Sequence, residues 1–317
     1  AKHFRLDHRY FPTDRDEESL EEILNRFIVC GEGRIDHIAG YMDGFKIWKT
    51  IFDNNVAGII RGDEGFGYPP VDSDVHVRKL LGIPLCEDYS NLKDYEQFGL
   101  PKQEIPEYLQ RKEGETLSTW RDRLYHGYRI PVVLAALTDL KLPYVELINP
   151  LLGRKLIYQV RRLPDHLRTD KVLFKKLADN ISPKIPYATG AATETTSNIL
   201  TSPKMVELLK GELSSSEAKE VFSDEFLNYL TSNIKVKEPS EQSKSASYKA
   251  QMAALFKRFA PRWLHLKVVR KIQKSTVIGF NLLALRAYIA IKMYKLLQED
   301  AAGAFSRAEA LTEDITL

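Results

Sequence analysis

Apolar residues recur at helical spacing through most of this chain, and the exceptions to that spacing are what organise it. Over residues 14–27 the apolar positions are Leu20, Ile23, Leu24 and Phe27, one face of a helix. Its first turn, Arg15-Asp16-Glu17-Glu18, is rich in the carboxylates that a helix N-terminus favours. Gly31-Glu32-Gly33 breaks the chain, and residues 38–52 then predict one long helix carrying Tyr41, Phe45, Ile47, Trp48, Ile51 and Phe52. The run Val56-Ala57-Gly58-Ile59-Ile60 is short, continuously apolar and followed by glycines, the pattern of a strand buried on both faces. With a β-compatible stretch at residues 4–11, the order strand, helix, helix, strand predicts an α/β fold with a parallel sheet and flanking helices.

Helical periodicity resumes near Leu117 and runs into an apolar helix over residues 132–140. Leu152, Leu156, Ile157 and Val160 predict the next helix, which Leu163-Pro164 stops. Val172, Leu173, Leu177 and Ile181 predict another after Thr169-Asp170. Residues 188–202, rich in Thr, Ala, Gly and Ser, suit a loop, and helices follow over 205–213 and 216–234, the second signalled by Ser214-Ser215-Ser216-Glu217. Residues 235–249 read as a polar linker. The tail is helical and basic, with Lys257, Arg258, Arg262, Lys267, Arg270, Lys271 and Lys274; a solvated helix face is the plainer account of that cluster, and an anion- or RNA-binding face the sharper one. Residues 277–297 are apolar but interrupted by Asn281, Arg286, Lys292 and Lys295, which predicts a buried or amphipathic helix and no membrane span.

Composition narrows the class without naming a function. At 317 residues the chain can bury a large core, and 44% apolar with 28% charged residues describes an ordinary soluble globular protein. A net charge of +3 gives no reason by itself to invoke nucleic acid or a membrane. Cys30 and Cys86 make neither a disulfide framework nor a zinc spacing, so a reducing, cytoplasmic setting is expected.

Two segments have the chemistry of a site. Arg61-Gly62-Asp63-Glu64-Gly65-Phe66-Gly67-Tyr68-Pro69 follows the predicted strand, where α/β sheets bind ligands. Glycines there let backbone N–H groups approach phosphate, and carboxylates can hold magnesium. Lys171 lies at the start of the 172–181 helix, where unpaired N–H groups and the helix dipole add to its own charge in favour of phosphate.

In order and spacing these segments resemble the carboxy-terminal synthetase domain of asparagine synthetases. Pro150, Leu151, Leu152, Gly153 and Arg154, then Arg162, Leu163 and Pro164, then Lys171, Leu173, Phe174 and Lys175 are similar to that family's P-F-L-D-R, R-L-P and K-x-L-L-R stretches, with Ser182-Pro183-Lys184 closing in the same style. Gly62, Asp63, Glu64, Phe66, Gly67 and Tyr68 resemble a shortened form of its S-G-E-G-x-D-E-x-F-G-G-Y loop, with Arg61 in place of the serine. Tyr125 and Arg129 resemble a tyrosine and an arginine of the family, His126 stands where it has an aspartate, and Glu146 matches its glutamate. The resemblance covers residues 4–187 and implies an adenine-nucleotide alpha-hydrolase-like fold that is incomplete at its N-terminus. It divides the chain into a partial synthetase domain at 1–190, a loop, helices and linker at 191–249, and a helical extension at 250–317.

The resemblance also implies an activity: ATP and Mg2+ convert a carboxylate to an acyl-adenylate, which ammonia or an amine attacks to give an amide. It implies Lys171, Asp63 and Glu64 as catalytic, Asp63 and Glu64 as magnesium ligands, Arg61, Gly62 and Gly65 at the nucleotide, and Tyr125, His126, Arg129 and Arg154 at the substrate. The plainer account makes His126 a hydrogen-bonded core histidine and Arg129 and Arg154 structural ion-pair partners. The family's glutaminase domain and its S-G-G-x-D-S pyrophosphate loop do not occur in the sequence. The expectation is therefore a second chain or N-terminal segment that supplies them, or, as the alternative, a non-catalytic assembly subunit. Which carboxylate is used, and whether the chain forms a homo-oligomer, stay open.

Overall fold

Ser19 opens the first helix by a reciprocal cap: its hydroxyl accepts from the Glu22 N–H while the Glu22 carboxylate accepts from the Ser19 N–H. In the computed structural model, which describes residues 7, 18–66, 69–182, 194–237 and 276–313, with side chains through 303, this helix is α1, Leu20–Gly31. It buries Ile23, Leu24, Phe27 and Ile28, the face its spacing predicts. The long helix expected over 38–52 is not formed. Gly40 and Gly44 adopt φ of 86° and Phe45 follows at 61°, left-handed conformations that no α-helix continues through. Helix α2 is only Lys46–Asp53, and it buries none of its residues.

The sheet is a pair of short parallel strands, β1 (Gly58–Ile60) and β2 (Glu146–Ile148), with Ile59 opposite Leu147. The expectation that β1 is buried on both faces is overturned. Ile60 is 76% exposed and Ile148 49%, while the alternate positions Ile59 and Leu147, on the other face, are only half-buried. The parallel strand pair is real, and the helices dominate the chain around it.

Between the strands the chain forms α3 (Asp74–Leu81), short 3-10 turns, and α4 (Leu117–Leu124), which continues through a π-helical segment, Tyr125–Leu134, into α5 (Ala135–Asp139). Pro131 lies inside the π-helical stretch, where a missing N–H donor is accommodated by irregular helix geometry. Val77 and Leu81 of α3 pack with Trp120, Leu124 and Tyr125 as one core. After β2 come α6 (Arg154–Arg162), ended at Leu163-Pro164 as its sequence predicts, α7 (Asp165–Arg168) and α8 (Val172–Ile181).

A second, larger core joins α1 to the C-terminal helices α9 (Thr196–Leu200), α10 (Pro203–Leu213), α11 (Ser216–Val221), α12 (Asp224–Asn233) and α13 (Phe280–Glu313). Helix α13 is its axis: Ala284, Leu285, Tyr288 and Ile291 form a fully buried stripe at helical spacing. Its cations are neutralised locally, since Lys292 and Lys295 reach Glu212 of α10 at 3.0 and 2.8 Å. The helix expected over 216–234 is split, because Ser223 caps a new start by accepting from the Phe226 N–H. Part of the 188–202 loop is also helical: Thr195 caps α9, and Ile199 and Leu200 enter the core. Among the described residues no helix is long and apolar enough to cross a membrane. The stretch 4–11 apart from Asp7, Gly67, Tyr68, residues 183–187, the 238–249 part of the linker and the basic cluster at 257–274 lie outside the described residues.

Candidate active site

The chain leaves the sheet at Arg61, whose N–H makes the last bond across the strands, to the Ile148 carbonyl at 2.9 Å. The loop that follows is held by one side of a single helix. Arg121 of α4 donates to the Pro69 carbonyl at 2.7 Å. One turn later the Tyr125 hydroxyl donates to the Glu64 carbonyl and His126 Nε2 to the Gly65 carbonyl, both at 2.7 Å. Gly65 sits close to α6: a Cβ there would come within 3.2 Å of Ile157 Cγ1, which would have to shift by a few tenths of an ångström to admit it. The loop is thus wedged between α4 and α6, with carbonyls committed to the protein. Gly62 has open space around it.

Glu64 points inward and its side chain is 6% exposed. One carboxylate oxygen accepts from the Phe66 N–H at 2.6 Å, and the other is paired with the Lys171 ammonium. Lys171 itself stays 41% exposed, so it faces both the buried acid and solvent. Its placement depends on an unusual turn. Asp170 and Lys171 adopt φ of 55° and 57°, two consecutive left-handed residues that are not glycine, each costing roughly 1–3 kcal/mol. Lys171 is therefore the residue that caps α8 rather than a member of its first turn. The rings of Phe66 and Phe174, 5.2 Å apart, close the contact behind it.

His126 is neutral in this setting. A carbonyl can only accept, so Nε2 carries the proton given to Gly65, and Nδ1 accepts from Arg161 Nε at 3.2 Å. Burial holds its pKa below the ordinary histidine value; the Gly65 bond opposes that shift, and the Arg161 charge reinforces it. Tyr125 and His126 thus act on the loop's backbone as props.

Arg61 and Asp63 pair with each other at 3.3 Å. Behind them, Lys141 is buried beside the rings of Trp48 and Tyr41, at 5.5 and 5.8 Å, with Nζ donating to the Leu137 carbonyl. Burial pushes the Lys141 amine down to about 8, with Arg61 adding to the effect and Asp63 opposing it. Burial likewise pushes the Tyr41 phenol up to about 12. The sequence offered no signal for Lys141, which reads as the polar end of an apolar helix.

Of the remaining expected residues, Arg129 is half-buried with its guanidinium against Gly82 at the end of α3. Arg154 is exposed at the start of α6, on a groove of about 780 Å³ shared with Leu152, Ile157, Tyr158 and Arg161. The two acids proposed for magnesium are each already paired with a cation, and among the described residues no group of three or more His, Cys, Asp or Glu is disposed to hold a metal.

Sequence reasoning also missed a buried ionic network directly beneath the Lys171 turn. Arg121 Nε donates to Asp122 at 2.7 Å, and Arg168 NH1 lies 3.1 Å from the other Asp122 oxygen. Arg168 also pairs with Asp165, which accepts from Thr116 and Thr119 at 2.9 and 3.2 Å. Comparison with known proteins adds no name to this geometry: no family model, curated protein or solved structure matches the chain.

Proposed function

We propose that this chain carries part of the active site of an ATP-dependent amide-forming ligase similar to the synthetase domain of asparagine synthetases. The observation that carries the reading is the pairing of Lys171 with Glu64. The two residues that the resemblance assigns to catalysis stand far apart in sequence, on a glycine-rich loop and a helix start, and they meet as a half-buried ion pair beside the C-terminal end of β1.

The reaction makes two demands that these residues can meet. A substrate carboxylate oxygen attacks the α-phosphorus of ATP, forming the acyl-adenylate and releasing pyrophosphate. An amine nitrogen then attacks the acyl carbon, AMP leaves with the C–O bond electrons, and the nitrogen gives up a proton. Lys171 offers a fixed, solvent-facing cation to the negative charge that develops in the first step, and Glu64 holds it in place. The Glu64 carboxylate would also serve as the acceptor of the proton in the second. Tyr125 and His126 hold the loop backbone, so Glu64 need not reorganise. Asp63 and Glu64 are the carboxylates that would hold magnesium when it is bound together with the nucleotide, in exchange for their present cation partners.

A second polypeptide segment, supplying strands and a pyrophosphate loop, belongs to the same proposal. Parallel sheets are ordinarily covered on both faces, whereas Ile60 and Ile148 lie open and α8 leaves Ile181 84% exposed. The ionic neutralisation of Glu64 by Lys171 would equally suit a subunit that retains the fold without chemistry. Purification from the native source, followed by assay of the intact assembly for AMP and pyrophosphate release with carboxylate and amine, separates the two. Carboxylate-dependent release that Lys171→Ala abolishes supports the ligase. An assembly that contains a pyrophosphate loop yet releases neither product overturns it in favour of the non-catalytic subunit.

A further inference from the structure

Arg121 is a fully buried arginine, with 0% exposure, and its guanidinium is shared among three elements. Nε donates to Asp122 at 2.7 Å, one terminal nitrogen to the Pro69 carbonyl at 2.7 Å, and the other to Thr169 Oγ1 at 3.2 Å. Pro69 closes the loop that presents Glu64. Thr169 begins the turn that presents Lys171. A single rigid fork therefore spans the two segments whose side chains form the ion pair.

We propose that Arg121 is a positioning residue, setting the separation between the Glu64 loop and the Lys171 turn so that the ammonium reaches the acid. The inference rests on the reading that Lys171 and Glu64 are the working pair. Three observations support it. Asp170 and Lys171 occupy left-handed conformations that relax unless neighbouring contacts hold them, and Thr169 is the residue immediately before them. Helix α8 buries none of its own residues fully, so the helix that follows Lys171 does little to fix it. The fork is itself immobilised from behind, because Asp122 is bound by Arg168 and Arg168 by Asp165. Lysine could not replace it, since an ammonium is a point charge and cannot direct planar donors to three divergent acceptors.

The test reads Lys171 directly. In the full chain, each lysine is acetylated with limiting sulfosuccinimidyl acetate, and the rate at Lys171 is measured by peptide mass spectrometry relative to Lys102, which is 70% exposed. Thr169→Val removes one bond of the fork and leaves Arg121, Asp122 and Pro69 untouched. It should raise the Lys171 rate severalfold over Lys102 without altering the thermal midpoint, and Thr169→Ser, which restores the hydroxyl, should return it. Glu64→Gln serves as the reference for a released lysine. If Glu64→Gln raises the rate and Thr169→Val does not, the positioning role of Arg121 is wrong while the ion pair stands. If neither variant moves it, the ion pair fails, and the positioning role and the ligase reading built on it fail together.

Discussion

Acidification should remove stability from this protein through His126. Burial keeps the imidazole neutral in the folded state, with Nε2–H given to Gly65 and Nδ1 accepting from Arg161. The unfolded chain has no such constraint and takes up a proton near the ordinary value of about 6.5. A folded pKa below the unfolded one means that the unfolded state binds more protons between the two values. The stabilisation is therefore fully present above about pH 6.5 and is lost as pH falls toward the folded pKa, at no more than about 1.4 kcal/mol per pH unit for one group. Protonation would also put a second donor, in place of an acceptor, against the Arg161 guanidinium. The variant that isolates this is His126→Gln, whose amide nitrogen can still donate to the Gly65 carbonyl but does not titrate. Urea melts of both proteins at pH 7.5, 6.5, 5.5 and 5.0 give the comparison. The wild type should lose more stability than the variant over the lower three values, by no more than about 1.4 kcal/mol per pH unit. Parallel losses in the two proteins would show that His126 is not the group responsible.

Three further outcomes follow from particular contacts. Lys141, with its amine pushed down to about 8, should give a stability that rises with pH between about 8 and the unfolded value of about 10.5, since the unfolded chain holds the extra proton there. Lys141→Met should flatten that rise in melts from pH 7 to 10 and leave the protein as stable at pH 7, or more so by about 1–3 kcal/mol; a variant that is less stable at pH 7 would mean that the Trp48 and Tyr41 rings more than offset burial. Glu212→Ala strips the carboxylate from Lys292 and Lys295 between α10 and α13 and should cost about 2–3 kcal/mol in chemical denaturation, below the full buried-pair value because both lysines are partly exposed; a loss under about 0.5 kcal/mol would make the cluster a surface feature. Ile60→Lys, on the open strand, should change the stability of the isolated chain by less than about 0.5 kcal/mol yet abolish co-purification with a strand-supplying partner, and retained co-purification would place that partner elsewhere.

What could be read from the sequence was whatever local periodicity and capping decide. Leu163-Pro164 ends α6 because the residue before proline is driven out of the helical region, and the apolar spacing after Thr169 marks α8. The rest was lost where the deciding contact is distant in sequence. Residues 196–200 read as loop by composition, but Asn281 from α13 donates to the Leu200 carbonyl at 2.8 Å, and tertiary burial of Ile199 and Leu200 overrides the weak propensity. The strand at Val56-Ala57-Gly58-Ile59-Ile60 has the composition of a buried strand, yet among the described residues only Ile59 of its paired segment is partly covered, so composition alone overstated its burial. Glu64 and Lys171 were legible as chemistry from their local settings, the glycine-rich turn and the helix start. Trp120-Arg121-Asp122-Arg123 was not, because a pattern rule treats charge as a sign of solvent. Here Arg121 and Asp122 are among the least exposed of the described residues, and an ion-pair network extended through Arg168 and Asp165 offsets part of the penalty of burying them. The same network anchors the turn that presents Lys171. The residues hardest to read as a site are therefore the ones on which the geometry of the legible pair depends.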